Sequence, residues 1–121
     1  LRFVAHTIEE LKMLEALVGS TNAERVLLFL SARGEGYANE IARTYGVGPS
    51  LIQKQLDRME RDGLLVARPV GRTRVYSFNP RFPFGAEVRE LMLKALKSYP
   101  DELQAKIRLD RRRPRRKGKP L

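Results

Sequence analysis

A helical seam of apolar residues that runs into a glycine and then directly into a strand constrains this chain more than any other feature. Ile52, Leu56 and Met59 are spaced four and three apart, so they share one face of a helix. Pro49 suits the first position, where its missing N–H breaks no helical bond, and Gly63 suits the end. The spacing predicts a helix from Pro49 to about Asp62. Leu64-Leu65-Val66-Ala67 follows at once as a short apolar strand. Gly71-Arg72 turns the chain, and Val75-Tyr76-Ser77-Phe78 returns with period-two alternation. Pro69 assigns the first strand to a sheet edge, because proline has no N–H to give to a ladder. A hairpin and one helix cannot enclose a core, so the rest of the chain has to support them.

Upstream, Asn39 to Tyr45 reads as a short helix with Ile41 and Ala42 inward and Gly46 as its stop. Tyr37-Ala38 is a link with room for a single strand-like rung. The segment 22–33 carries Val26, Leu27, Leu28, Phe29 and Leu30, an apolar face too broad for a surface helix, so it is the expected central core helix. Residues 20–24 offer its cap, and Gly34 and Gly36 its close. Thr7-Ile8-Glu9-Glu10 is a capping-box pattern that opens a helix over 7–18, with Ile8, Leu11, Leu14 or Met13, Leu17 and Val18 along a stripe and Gly19 at its end.

Downstream, Gly85 to Lys97 is helical in pattern, with Val88, Leu91, Met92, Ala95 and Leu96 on one side. Pro100 interrupts it, Asp101-Glu102 suit a new first turn, and Leu103, Ile107 and Leu109 extend an amphipathic segment. The expected fold class is mainly α with a small β-hairpin. The expected organisation is one domain over 1–105 and a basic tail over 106–121, disordered on its own from Arg111.

The formal charge is +10, and its placement matters more than its size. From Lys106 onward nine Lys/Arg face the single acid Asp110, which leaves a surplus of only +2 for residues 1–105. A basic pI therefore does not by itself make the folded part a nucleic-acid binder, and local patches have to carry the argument. No apolar run approaches the roughly 20 residues of a spanning helix, so no membrane partner is expected. Cysteine is absent, which removes thiolate metal sites and suits a reducing cytoplasm.

Two helices joined by a glycine-containing turn, with small and polar residues opening the second, form a helix-turn-helix arrangement. An α-helix fits the major groove of B-DNA and presents its N-terminal side chains to base edges. Pro49 and Ser50 open the candidate helix. Ser50, Gln53 and Lys54 are the candidate readers: a hydroxyl for base or phosphate, an amide for adenine, an ammonium for guanine or phosphate. Arg58, one turn on, suits backbone contact. Asp57, Glu60 and Asp62 confine any approach to phosphates to the helix's first half. Arg68, Arg72 and Arg74 on the hairpin suit phosphate clamping or minor-groove probing.

Plainer readings exist for each. Ser50, Gln53 and Lys54 can be a solvated helix face, and the arginines can be charges that protect an edge strand. Tyr76 and Phe78 read as core rather than base-stacking groups, as do Tyr37 and Tyr45. His6 reads as a surface residue. Glu9-Glu10 and Asp101-Glu102 sit at helix starts, where the macrodipole accounts for them. With no catalytic set or phosphate loop in view, an enzyme is not expected.

Residues 20–80 resemble winged helix-turn-helix transcriptional regulators of the ArsR-like type. The resemblance rests on Ile41-Ala42 with Gly46-Val47, on Leu56-x-x-Met59-x-x-x-Gly63-Leu64-Leu65, and on Gly71-Arg72-x-Arg74-Val75-Tyr76-Ser77-Phe78-Asn79. It implies a winged helix-turn-helix with flanking N- and C-terminal helices. It further implies a sequence-specific, cytoplasmic DNA-binding regulator, a repressor, that holds double-stranded DNA as a homodimer through the helices 7–18 and 85–97. Gly48 departs from the usual Ser or Thr cap before the reading helix. Metal sensors of that family use Cys, His and carboxylate clusters, whereas this chain has no Cys and only His6, so no metal or cofactor is expected. The alternative is a winged-helix module that binds protein or RNA, with the basic tail recruiting an acidic partner. For the tail itself, a DNA arm is the favoured reading over an RNA- or protein-binding segment or a solubilising end.

Overall fold

The computed structural model describes residues 14–108. The expected helix start at Thr7, together with His6, Glu9-Glu10, Leu109 and the residues from Arg111, lies outside them. Six helices and three strands follow in the order α1 (Glu15–Val18), α2 (Thr21–Arg33), β1 (Glu35–Gly36), α3 (Ala38–Tyr45), α4 (Pro49–Arg61), β2 (Leu65–Val70), β3 (Thr73–Phe78), α5 (Gly85–Leu96) and α6 (Asp101–Arg108). The described chain is thus mostly helical with one small antiparallel sheet, in strand order β1-β3-β2.

Helix α2 is the hub. Its broad apolar run buries nine consecutive residues, Ala23 to Ser31, so neighbours cover it on every side. Ser20 caps it, its hydroxyl accepting from the Ala23 N–H at 3.0 Å, which satisfies one of the free N–H groups of the first turn. Ile41, Ile52, Leu56, Leu65, Tyr76, Met92, Leu96 and Ile107, from every later element except β1, join its core. Two buried charges share the helix. The Glu24 carboxylate accepts from the Tyr99 hydroxyl and from the Leu14 N–H at 3.1 Å. Arg25 donates to Asn22 at 2.8 Å and lies 5.7 Å from the centre of the Tyr45 ring. A buried charge requires such partners, and Glu24 has them, whereas Nε and Nη2 of Arg25 are buried without a hydrogen-bond partner among the described residues.

Several boundaries differ from the sequence reading. The strand-like rung is Glu35–Gly36, not Tyr37-Ala38, and it pairs with Ser77 and Tyr76 of β3. Tyr37 instead precedes α3, where its N–H meets the Glu40 carboxylate at 3.4 Å. Gly36 is therefore not a helix stop. A Cβ there would fall 2.5 Å from Cε1 of Phe29, so the glycine lets β1 cross the core helix closely. Strand β2 continues through Arg68 and Pro69 to Val70, beyond the expected end at Ala67, because the ladder with β3 holds register from Leu65↔Phe78 to Val70↔Thr73. Pro69 does occupy an edge strand. The hairpin closes at Gly71, whose φ of +64° few other residues tolerate. At the far end, α6 reaches Arg108 with Ile107 fully buried, so the folded part passes the expected boundary at residue 105.

Gly36→Ala is expected to destabilise the protein by about 1–3 kcal/mol, as overpacking of a fixed core ring does. Urea unfolding followed by circular dichroism measures this. An unchanged midpoint would show that Phe29 does not hold that position.

Candidate nucleic-acid interface

Three elements converge on one side of the molecule: the first turn of α3, the first half of α4 and the hairpin tip. The turn from α3 to α4 is built by Val47, which packs on the core and donates its N–H to Ala42 at 3.0 Å. Gly48 then precedes α4 in extended conformation without a side-chain cap. Ile52, Leu56 and Met59 are buried, as their spacing requires, and this fixes which face looks outward. Pro49, Ser50 and Lys54 are exposed on that face.

Leu51 joins them and is 51% exposed. Sequence reasoning passed over it. The available signal was an apolar residue on α4 that lies off the 52/56/59 seam. Among the described residues, Lys54 and Arg72 enter no ion pair.

Between these elements lies a groove of about 260 Å³, lined by Tyr37, Ala38, Asn39, Gln53, Arg72, Thr73 and Arg74. Tyr76 holds two of its lining residues, Gln53 and Arg74. The ring is buried, and its hydroxyl accepts from Gln53 Nε2 at 2.9 Å and from Arg74 Nε at 3.4 Å. Gln53 Nε2 also donates to Asp57 at 2.8 Å, so both amide protons are engaged and the amide is held across the groove. The core reading of Tyr76 accordingly holds for its ring, while its oxygen ties α4 to the hairpin. Tyr45 donates its hydroxyl to the Arg25 carbonyl at 3.0 Å, and burial pushes its phenol far above the ordinary range.

The hairpin arginines differ from one another. Arg74 donates to both oxygens of Glu60 at 3.0 and 2.7 Å. Its pKa is raised by the bond to the Tyr76 oxygen and then by Glu60. Arg68 pairs with Glu35 at 2.9 Å. No acid separates these arginines along the chain, yet acids from α4 and β1 reach two of them in space. Arg72, at the tip, is left as the open cation of the three. Arg58 stands apart: it donates to Gln55 at 3.2 and 2.8 Å and borders an apolar groove with Leu17, Met59 and Leu91. The groove thus brings together Gln53, Arg72 and Arg74, the start of α4 leaves Pro49, Ser50 and Lys54 exposed, and Arg58 and Arg68 lie outside both groups.

A surface of this kind offers hydroxyl, amide, ammonium, guanidinium and one exposed aliphatic group over a convex helix start beside a ribbon. Among the described residues no group of three or more His, Cys, Asp or Glu side chains is placed to hold a metal ion, and no helix is long and apolar enough to cross a membrane. No protein-family model, curated protein or solved structure matches the chain.

Because Arg74 and Glu60 are both open to solvent, which screens their attraction, their pair is expected to couple only weakly. A double-mutant cycle of Arg74→Ala and Glu60→Ala in urea unfolding reads this. A strong coupling would mean that the pair, rather than the bonds to the Tyr76 hydroxyl, holds the hairpin.

Proposed function

We propose that the protein is a sequence-specific DNA-binding transcriptional regulator of winged helix-turn-helix architecture. Helix α4 enters the major groove and the β2–β3 hairpin acts as the wing. The observation that carries the reading is the outward start of α4, where Pro49, Ser50, Leu51 and Lys54 lie exposed beside a hairpin whose tip bears Arg72. Ser50 and Lys54 supply hydrogen bonds to base edges or phosphate, and Leu51 an apolar surface suited to a thymine methyl group. Arg72 meets the phosphate backbone. Gln53 reads a base once one of its internal bonds is released.

The reading extends to a homodimer. Leu17 on α1 and Phe84 and Leu91 at α5 are exposed, at 67%, 64% and 39%. Leu17 and Leu91 line an apolar groove of about 340 Å³. Pairing through these helices, within the flanking segments 7–18 and 85–97, would cover that surface. It would present two α4 helices to successive major grooves about 34 Å apart. Repression follows from such a protein occupying a promoter. The neutralisation of Arg68 and Arg74 by Glu35 and Glu60 favours a second reading, a protein- or RNA-binding winged-helix module.

Selection of bound duplexes from a random pool tests the proposal, and a recovered two-fold site is the expected result. Binding to that site no tighter than to random duplex at ~150 mM salt would favour the second reading instead. On the selected site, Arg72→Ala is expected to weaken all sequences alike and to lower the log–log salt slope by about 0.9 for each phosphate that Arg72 neutralises. Lys54→Ala and Leu51→Ala are expected to cost about 1–3 kcal/mol and to relax the preference at individual base pairs. Identical behaviour of the Arg72 and α4 variants would refute this division of roles.

A further inference from the structure

The apolar groove of about 340 Å³ opens where α1, α2, α4 and α5 meet. Of the residues that line it, Leu27 of α2, Met59 of α4 and Met92 of α5 are buried, whereas Leu17 and Leu91 are exposed, so the groove reaches from the core to the surface. Arg58 is its one polar lining residue.

Such a groove suits an apolar occupant better than water. An ordered water needs about two to four polar partners, and the lining offers a single guanidinium. Met59 and Met92 have unbranched, polarisable side chains that adapt to the shape of what packs on them. The space holds roughly ten non-hydrogen atoms, at the ~30 Å³ that each water molecule takes up in the liquid. That is the scale of a small ligand.

Arg58 decides which ligand. Its Nε and Nη2 both donate to Gln55 Oε1, at 3.2 and 2.8 Å, within the same helix. Nη1 has no acceptor among the described residues, and the guanidinium enters no ion pair there. The side chain is half-buried. An unanswered positive charge beside an otherwise apolar space selects an anion with an apolar body, and a carboxylate matches the guanidinium fork. The same charge repels an amine.

Arg58 and Met59 also belong to the helix whose first turns carry Ser50 and Lys54. With Ile52 and Leu56, Met59 forms the buried seam that sets which face of α4 looks outward. An occupant that packs on Met59 and draws Arg58 away from Gln55 therefore acts on the seating of α4. Hydrogen bonds to base edges weaken steeply with misalignment, so a reseated α4 holds its duplex less tightly.

We propose that this groove binds an apolar monocarboxylate, its carboxylate on Arg58 and its chain over Leu27, Met59 and Met92, and that occupancy loosens the hold on DNA. The second half rests on the DNA-binding reading above; the first does not. Two copies paired across Leu17 and Leu91 would close the groove over the bound chain.

The test uses the full chain and octanoate, a chain of matching size. The protein has three methionines, Met13, Met59 and Met92, so labelled methyl groups give three NMR signals, assigned with Met59→Leu and Met92→Leu. Octanoate is expected to shift the Met59 and Met92 signals saturably; binding elsewhere on this basic chain would leave both in place. By calorimetry, octanol and octylamine are expected to bind at least about tenfold more weakly than octanoate. Arg58→Gln is expected to weaken octanoate by about tenfold, and Arg58→Lys to recover part of that loss. Octanoate at a level that saturates the unaltered protein but not Arg58→Gln is expected to weaken binding of a selected duplex by about fivefold or more, in the unaltered protein only.

Unmoved Met59 and Met92 signals would overturn the site. If dilution of the protein alone then moves both, the groove holds a second copy of the chain instead. Equal affinity for octanoate and octanol, or equal octanoate affinity with and without Arg58, would overturn the carboxylate preference. Octanoate that shifts both signals yet leaves duplex affinity unchanged would overturn the regulatory half and leave the DNA reading intact. Failure of the ligand-free protein to hold any duplex would remove the DNA reading and the regulatory half with it, and the methyl signals would still decide the site.

Discussion

The burial of α2 on all sides is the constraint from which the other elements follow. A helix with nine successive buried residues needs partners around its whole circumference, and one sheet or one helix pair cannot supply them. Helices α3 and α4 cover one side, α5 and α6 another, and β1 and β3 close the gap, with Gly36 permitting the approach at Phe29. The exposed start of α4 and the hairpin are consequences of this wrapping. Once Ile52, Leu56 and Met59 face α2, Ser50 and Lys54 have no direction but outward.

Much of this was legible in the sequence, because it depends on local periodicity and on glycine and proline. The α4 seam, the Gly63 stop, the turn at Gly71, the edge position of Pro69 and the breadth of α2 all appear in the structure. What escaped depends on contacts distant in sequence. Strand β1 is two residues long and is defined by its pairing with Ser77 and Tyr76, about forty residues away, so no periodicity could reveal it. The extra residues of β2 follow from the β3 ladder. The C-terminal boundary moved because Ile107 finds a place in the core and Arg33 a partner in the last turn of α6.

The candidate surface shows the same limit in its electrostatics. Residue types and spacing placed Ser50, Lys54 and Arg72 in the open. They gave no sign that Glu35 and Glu60 reach Arg68 and Arg74, or that the Gln53 amide is bonded at both protons. Charge counted along a chain overstates the charge that a surface offers. The proposed role of the hairpin therefore rests on Arg72 at the tip, while Arg74 shares in holding the hairpin to α4.

The Tyr76 hydroxyl has a consequence for strand pairing. Successive residues of a strand point to opposite faces, so a slip of β3 by one position would turn this ring into water and bring Ser77 inward. Gln53 would lose its acceptor in the same step, and Gly36 would no longer lie opposite Tyr76. A short ribbon of six-residue strands has few other means of rejecting a shifted alignment. This one side chain works as a key that admits a single register, and the position of the hairpin tip relative to α4 is defined by it.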